Sequence, residues 1–198
     1  MPFDDEQDVP DDALLVLYAN GDGDAARLLT GRHLPRVLGY AARVLGGDRA
    51  EAEDVAQEAM LRLWRIAPDW RPGEAKVSTW LYRVVTNLCT DRLRGRKRRR
   101  AIGLDDAPDV ADGAQSVEAG MVDADRMDAL ARALEQLPER QRQAVVLRHI
   151  EGLSNPQIAE VMEIGVEAVE SLTARGKRAL AAILAGRKAE LGYDENGG

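Results

Sequence analysis

The sequence predicts an all-α protein: two small helical domains joined by a flexible acidic linker, the C-terminal one a helix-turn-helix. Three observations carry this. Apolar residues recur near i, i+3, i+4 spacing over most of the chain. Aromatic residues are only 4% of a chain that is 45% hydrophobic, so the core must be built mostly of Leu, Val, Ile and Ala, which favours helix over sheet. Residues 101–125 lack a sustained apolar face and are rich in Asp, Gly and Ala, so they read as a tether that divides the pattern in two. The expected divisions are 1–100, the linker 101–125, a second domain 126–188 and a tail 189–198.

The elements follow in order. A short helix is expected from about Asp12 to Ala19. Beyond Asp24, the residues Leu28, Leu29, Leu34, Val37, Leu38, Ala41, Val44 and Leu45 keep helical spacing up to the stop at Gly46-Gly47. Asp48 is suited to cap a helix that runs to about Ala67 and ends at Pro68. The loop PDWRPGEAK, with two prolines and a glycine, separates it from a third helix. That helix begins at Ser78 or Thr79, either a good cap, and runs into a basic cluster. Helical pattern resumes at Asp125 or Arg126. Pro138 opens the next helix at its first position, and Gly152 ends it. Ser154 with Gln157 three residues on forms a capping box for a short helix to Met162, and a last helix runs from Val166 to about Leu184.

The net charge of −7 hides a sharp segregation. Residues 1–26 hold eight acidic side chains and no Lys or Arg, and residues 101–125 hold seven acids and again no base. Arg92 to Arg100 carries seven basic residues in nine, enough to displace several counterions from a phosphate backbone. No stretch approaches the roughly 18 apolar residues of a membrane span. The acidic start MPFDDEQDVPDD is opposite in charge to a signal peptide, so membrane insertion is not expected and a cytoplasmic location is. The single cysteine, Cys89, sits in an apolar run and reads as a buried small hydrophobe. Two histidines, His33 and His149, read as structural or surface groups; no metal, cofactor or catalytic set is expected.

The segment LSNPQIAEVMEIGVEAVESLTARGKRAL has the short helix, tight turn and longer helix of a DNA-binding helix-turn-helix. Ile158, Ala159, Val161, Met162, Ile164, Val166 and Val169 supply its seam. Glu167, Ala168, Ser171, Arg175, Lys177 and Arg178 point outward, and the last three have the chemistry to reach phosphates or base edges.

Three stretches in this order, AEAEDVAQEAMLRLWR, STWLYRVVTNLCTDRLRGRKRR and LPERQRQAVVLRHIEGLSNPQIAEVM, make the chain resemble the extracytoplasmic-function sigma factors from about Asp12 to Leu184. The resemblance implies a protein without bond chemistry of its own, a monomer when free, that binds core RNA polymerase and directs it to promoters. It implies that Asp54, Gln57, Glu58 and Leu61 meet the clamp helices of the largest polymerase subunit. It implies that the second helix-rich stretch reads and opens the minus-ten element.

Candidates for that reading are Trp70, Lys76, Ser78, Thr79, Trp80, Arg83, Asn87 and Arg94, with Arg96, Lys97, Arg98, Arg99 and Arg100 on phosphates. A polar stripe of Arg83, Thr86, Asn87, Thr90 and Arg94 should oppose the inward Leu81, Val84, Val85 and Leu88. The loop Pro68 to Ser78 is placed to form a pocket for an unstacked base, and core is the first reading for Trp80. The helix-turn-helix, with Ser154, Gln157, Glu167, Ala168, Ser171, Arg175, Lys177 and Arg178, would read the minus-thirty-five element and touch the flap of the second-largest subunit. An anti-sigma factor is implied as a further partner.

The second domain departs from the family pattern. Glu163 stands at a turn usually held by Gly, and Gly165 where a polar cap is common. Glu170 and Leu172 replace a usual Lys and Arg, and Thr173 a usual buried leucine. Two alternatives stay open: a sigma-like decoy that binds an anti-sigma protein without binding DNA, favoured by the acidic charge and Glu170, and a helix-turn-helix repressor with an effector domain.

Overall fold

A computed structural model describes residues 9–103 and 129–190, the side chains of the last helix as far as Gly186. The described residues form helices throughout, with no strand. They are α1 (Asp11–Ala19), α2 (Gly23–Val44), α3 (Arg49–Ile66), a 3₁₀ turn (Ala67–Asp69) and α4 (Val77–Ala101). The second half holds α5 (its described part, 129–135), α6 (Glu139–His149), α7 (Asn155–Met162) and α8 (Val166–Glu190). The expected linker lies outside the described residues except for 101–103, where α4 ends and turns at Gly103. The last helix continues beyond the expected Leu184, to Glu190.

Local chemistry explains most boundaries. Asp22 caps α2 by accepting from Asp24 N and Ala25 N, and Asp48 caps α3 by accepting from Glu51 N at 3.0 Å. The capping box of α7 is complete: Ser154 Oγ accepts from Gln157 N, and Gln157 Oε1 accepts from Ser154 N at 2.9 Å.

Two starts differ from expectation. Helix α4 begins at Val77, and Ser78 and Thr79 lie within its first turn rather than capping it. Burial decides this: Val77 and Thr79 are both drawn into the core, and the Lys76 carbonyl accepts the first helical bond from Trp80 N. Pro138 likewise stands at the cap of α6, its carbonyl accepting from Arg142 N.

Helices α1, α2, α3 and α4 pack together around Leu29, Tyr40, Leu63, Leu81 and Val85. Helices α6, α7 and α8 pack around Leu147, Ile158, Val161 and Val169. The two halves also meet, α2 against α6 and α4 against α7, so their buried residues join in one continuous core. No described helix is long and apolar enough to cross a membrane.

Candidate nucleic-acid interface and exposed acidic helix face

On α3, Val55, Ala59 and Leu63 are buried. The side chains of Asp54, Gln57, Glu58 and Leu61, spaced i, i+3, i+4, i+7, therefore share the opposite, solvent side. Leu61 is 43% exposed, a large apolar group left in water beside acids. Glu58 accepts from Arg62 Nε at 2.8 Å, which lowers its carboxyl below the ordinary value, and Asp54 lies 3.9 Å from Arg92.

The loop between α3 and α4 builds a concave site. Trp70 and Trp80 meet edge to face with centroids 6.3 Å apart, as aromatic quadrupoles prefer. They and Arg83, with Ile66, Asp69 and Glu74, line a cavity of about 270 Å³. Trp80 is thus a wall of this cavity while also packing on the core. Lys76 and Asn87 are exposed, Ser78 is half-buried, and Arg94 is exposed 3.9 Å from Asp91.

Thr79 is only 6% exposed and does not present its hydroxyl to a ligand, contrary to expectation. The expected polar stripe of α4 also breaks. Thr86 is buried with its hydroxyl bonded to Tyr40 at 2.8 Å, and Thr90 accepts from Gln143 Nε2 of α6 at 3.0 Å. Helices pack on α4 from more than one side, so part of its polar face is spent inside the protein.

The basic end divides in two. Arg96 donates to Asp48 at 2.6 Å, Glu51 at 2.5 Å and the Leu45 carbonyl, with a side chain 21% exposed. It pins the end of α4 to the start of α3, so the expected phosphate contact at Arg96 gives way to a structural role. Lys97 lies 3.7 Å from Glu139 across the two halves. Arg98, Arg99 and Arg100 are exposed. Cys89 is buried, and burial pushes its thiol up to about 12, the state of an inert hydrophobe.

In the second half, Glu167, Ala168, Ser171, Arg175, Lys177 and Arg178 are all exposed on α8, and Arg175 donates to Ser171 Oγ at 2.6 Å. Ser154 is exposed and Gln157 half-buried at the start of α7, joined to each other by the capping box. The turn between α7 and α8 places Glu163 at φ +53, the left-handed region, which costs about 1 kcal/mol relative to glycine. Leu172 and Thr173 are both half-buried, and Thr173 Oγ1 finds no hydrogen-bond partner among the described residues.

A capped short helix, a left-handed turn and a long helix with an exposed mixed face therefore follow a domain that pairs an aromatic cavity with an acidic helix face. Residues 29–99 match the family described as Sigma-70 region 2, and residues 127–180 match Sigma-70, region 4. The chain is 37% identical to the ECF RNA polymerase sigma factor SigM of Mycobacterium tuberculosis over 88% of this chain and 84% of that one. It belongs to the extracytoplasmic-function sigma factors.

This sigma factor is also 34% identical to the RNA polymerase sigma-H factor of Pseudomonas aeruginosa, covering 86% of this chain and 91% of that one. Among solved structures it is similar to CnrH in complex with the cytosolic domain of CnrY, with TM-score 0.65, 27% identity, and 89% and 97% of the two chains covered. The sigma factor RpoE of Bartonella quintana, solved with the anti-sigma factor NepR, shares the fold at TM-score 0.62 and 22% identity over 77% and 91%. The family is one of transcription initiation factors and not of enzymes, which sets aside the repressor alternative.

Sequence reasoning missed the seam between the halves of this sigma factor. Glu151, its side chain only 6% exposed, accepts from Tyr82 Oη at 2.5 Å and faces Arg43 Nη1 at 3.5 Å, while its carbonyl accepts from Arg36. Burial and this carboxylate hold the Tyr82 hydroxyl protonated, well above its ordinary range. Arg142 donates to the Val44 carbonyl at 2.7 Å. A Glu preceding a helix-ending Gly gave no signal that it would be buried among charges of another domain.

Proposed function

We propose that the exposed face of Asp54, Gln57, Glu58 and Leu61 docks on the clamp helices of the largest polymerase subunit. The loop cavity and α4 then read the minus-ten element in the cytoplasm. The observation that carries the second assignment is the Trp70–Trp80 cavity edged by Arg83: two aromatic walls to stack a base and a cation-bearing donor for its edge. Lys76, Ser78, Asn87 and Arg94 extend this surface, and Lys97, Arg98, Arg99 and Arg100 take phosphates. The exposed residues of α8 read the minus-thirty-five element, and the second half also touches the flap of the second-largest subunit. The chain divides functionally at 1–100 and 126–188, across the linker 101–125.

A chain that reads both elements has to open the seam. Their centres lie about 25 base pairs apart, or about 85 Å at 3.4 Å per pair. A packed body of this size has a radius of gyration of only about 15 Å. The packed arrangement is thus a resting form, and one that an anti-sigma factor would hold while covering the polymerase-facing and DNA-reading surfaces. The similarity to CnrH, solved with a protein partner, supports this.

Run-off transcription with purified core polymerase and a promoter library tests the reading. Replacing Asp54 and Gln57 by Ala should weaken core-polymerase binding, and unchanged affinity would remove that face from the assignment. Replacing Trp70 or Arg83 by Ala should impair initiation at the downstream element without lowering core affinity. Equal initiation by these variants would sink the cavity's role.

A further inference from the structure

Helix α1 precedes the segment matched as region 2, yet it reaches the loop assigned above to the downstream element. Asp12 Oδ1 accepts from the Trp70 indole N–H at 3.3 Å, and its Oδ2 accepts from the Gly73 backbone N–H at 3.0 Å. One carboxylate therefore holds both an aromatic wall of the cavity and the turn that follows it. Gly73 sits at φ +85, a conformation open to glycine, and Glu74 N bonds back to the Arg71 carbonyl at 3.3 Å. Among the described residues, nothing else in this exposed turn is comparably anchored by a side chain from another helix: its own ion pair, Arg71 with Glu74, is 3.5 Å and largely exposed.

The anchor is itself fixed. Leu14 and Leu15 bury α1 against the core, at 2% and 0% exposure. The adjacent Asp11 meets His33 Nε2 at 2.7 Å and accepts from Arg32 Nη1 at 3.0 Å, and Arg32 also donates to the Val9 carbonyl. Asp12 is thus held on a helix secured by an apolar face and a charged clasp. A carboxylate suits the position because both of its oxygens are needed as acceptors. An amide would offer one acceptor and turn a donor toward a donor.

We infer that Asp12 is a positioning residue for promoter reading: by holding Trp70 and the Gly73 turn it sets the width of the Trp70–Trp80 cavity and so its base discrimination. The inference rests on the loop's assignment to the downstream element. Its consequence is that α1, which reads as part of an acidic leader, belongs to the specificity apparatus.

The test uses the full chain with core polymerase on promoters varied one base at a time through the downstream element. Asp12→Ala should reduce discrimination between the best and second-best base at one position by about ten-fold, as the loss of two charge-assisted anchors allows. Core-polymerase affinity should remain within about two-fold. Asp12→Asn should fall between, because it keeps one acceptor. Trp70→Phe, which keeps an aromatic wall but lacks the indole donor, should lose part of the same discrimination, and its combination with Asp12→Ala should be less than additive. Hydrogen exchange at the Gly73 amide should accelerate in Asp12→Ala.

Lost discrimination in Trp70→Ala with intact discrimination in Asp12→Ala would overturn the positioning role while leaving the loop assignment standing. Intact discrimination in Trp70→Ala would remove the loop assignment, and this inference with it. A uniform fall at every promoter together with weakened core binding would mean a structural role only.

Discussion

Helices α4 and α8 are each 25 residues long, and each is the assigned DNA-reading helix of its half, but they come to that task by opposite routes. As far as Gly186, helix α8 keeps one apolar stripe, with Val169 and Gly176 buried and Leu172, Leu180 and Ile183 half-buried, and leaves most of its other side chains exposed. Its proposed reading residues are those that helical periodicity turns outward. Helix α4 is packed by α2 and α3 and also by α7. Thr79, Thr86 and Thr90 are turned to internal contacts, and the proposed reading residues gather mainly where the helix meets the preceding loop. A helix enclosed on several sides keeps only part of its polar face for an interface, here Asn87 and Arg94.

If that contrast is right, the most damaging change in α8 is at its buried stripe. A Cβ on Gly176 would come within 2.6 Å of Val145 Cγ2 and 3.1 Å of the Gln141 carbonyl. Gly176→Ala should therefore lower stability by about 1–3 kcal/mol in urea unfolding, despite its gain in helix propensity. No loss would mean that α6 and α8 are not packed this closely.

Next comes the seam that encloses α4. Glu151→Ala removes the acceptor of Tyr82 and the partner of Arg43, a charged hydrogen bond of about 1.5–3 kcal/mol. The free protein should expand, read as a larger radius of gyration in solution scattering. An unchanged radius would show that the remaining contacts across the seam, Arg142 on Val44 and Gln143 on Thr90 among them, close the halves without Glu151.

The basic end gives a smaller and more selective test. Arg98→Ala should reduce the salt slope of promoter binding by about 1. Arg96→Ala should leave the slope intact and lower the melting temperature, by about 1 kcal/mol in stability, because its charge already belongs to Asp48 and Glu51. Equal slopes for the two variants would erase the distinction drawn between them.

The smallest effect concerns the clasp of α1. The His33 hydrogen bond, then its charge and the contacts of Arg32, hold the Asp11 carboxyl below its ordinary value of 3.8 against the opposing effect of burial. A depressed folded value means that the stabilisation is present above 3.8 and is lost as pH falls through the folded value. Asp11→Asn should flatten that part of the acid-unfolding curve. An identical curve would detach Asp11 from the clasp.

Much of this was legible in the residues themselves. Helix periodicity, the caps at Asp48 and Ser154 and the outward face of α8 are local properties, decided by neighbours within about four residues. The α3 patch was equally legible, because residues at 54, 57, 58 and 61 share a face in any helix. Less was visible where partners are distant in the chain. The start of α4 follows from the burial of Val77 and Thr79, not from the caps available. The basic run looked uniform, and only the approach of Asp48 and Glu51 separates Arg96 from Arg98.

The sequence by itself determined an all-helical, two-part sigma factor and the faces its surface helices present, since those depend on a 3.6-residue period and short-range capping. The tertiary structure alone decided which polar groups are spent internally: Thr86 on Tyr40, Arg96 on α3, Glu151 on Tyr82, Asp12 on the loop. Each pairing joins residues more than forty positions apart. A polar side chain's partner is set by which helices meet, and local pattern carries no record of that.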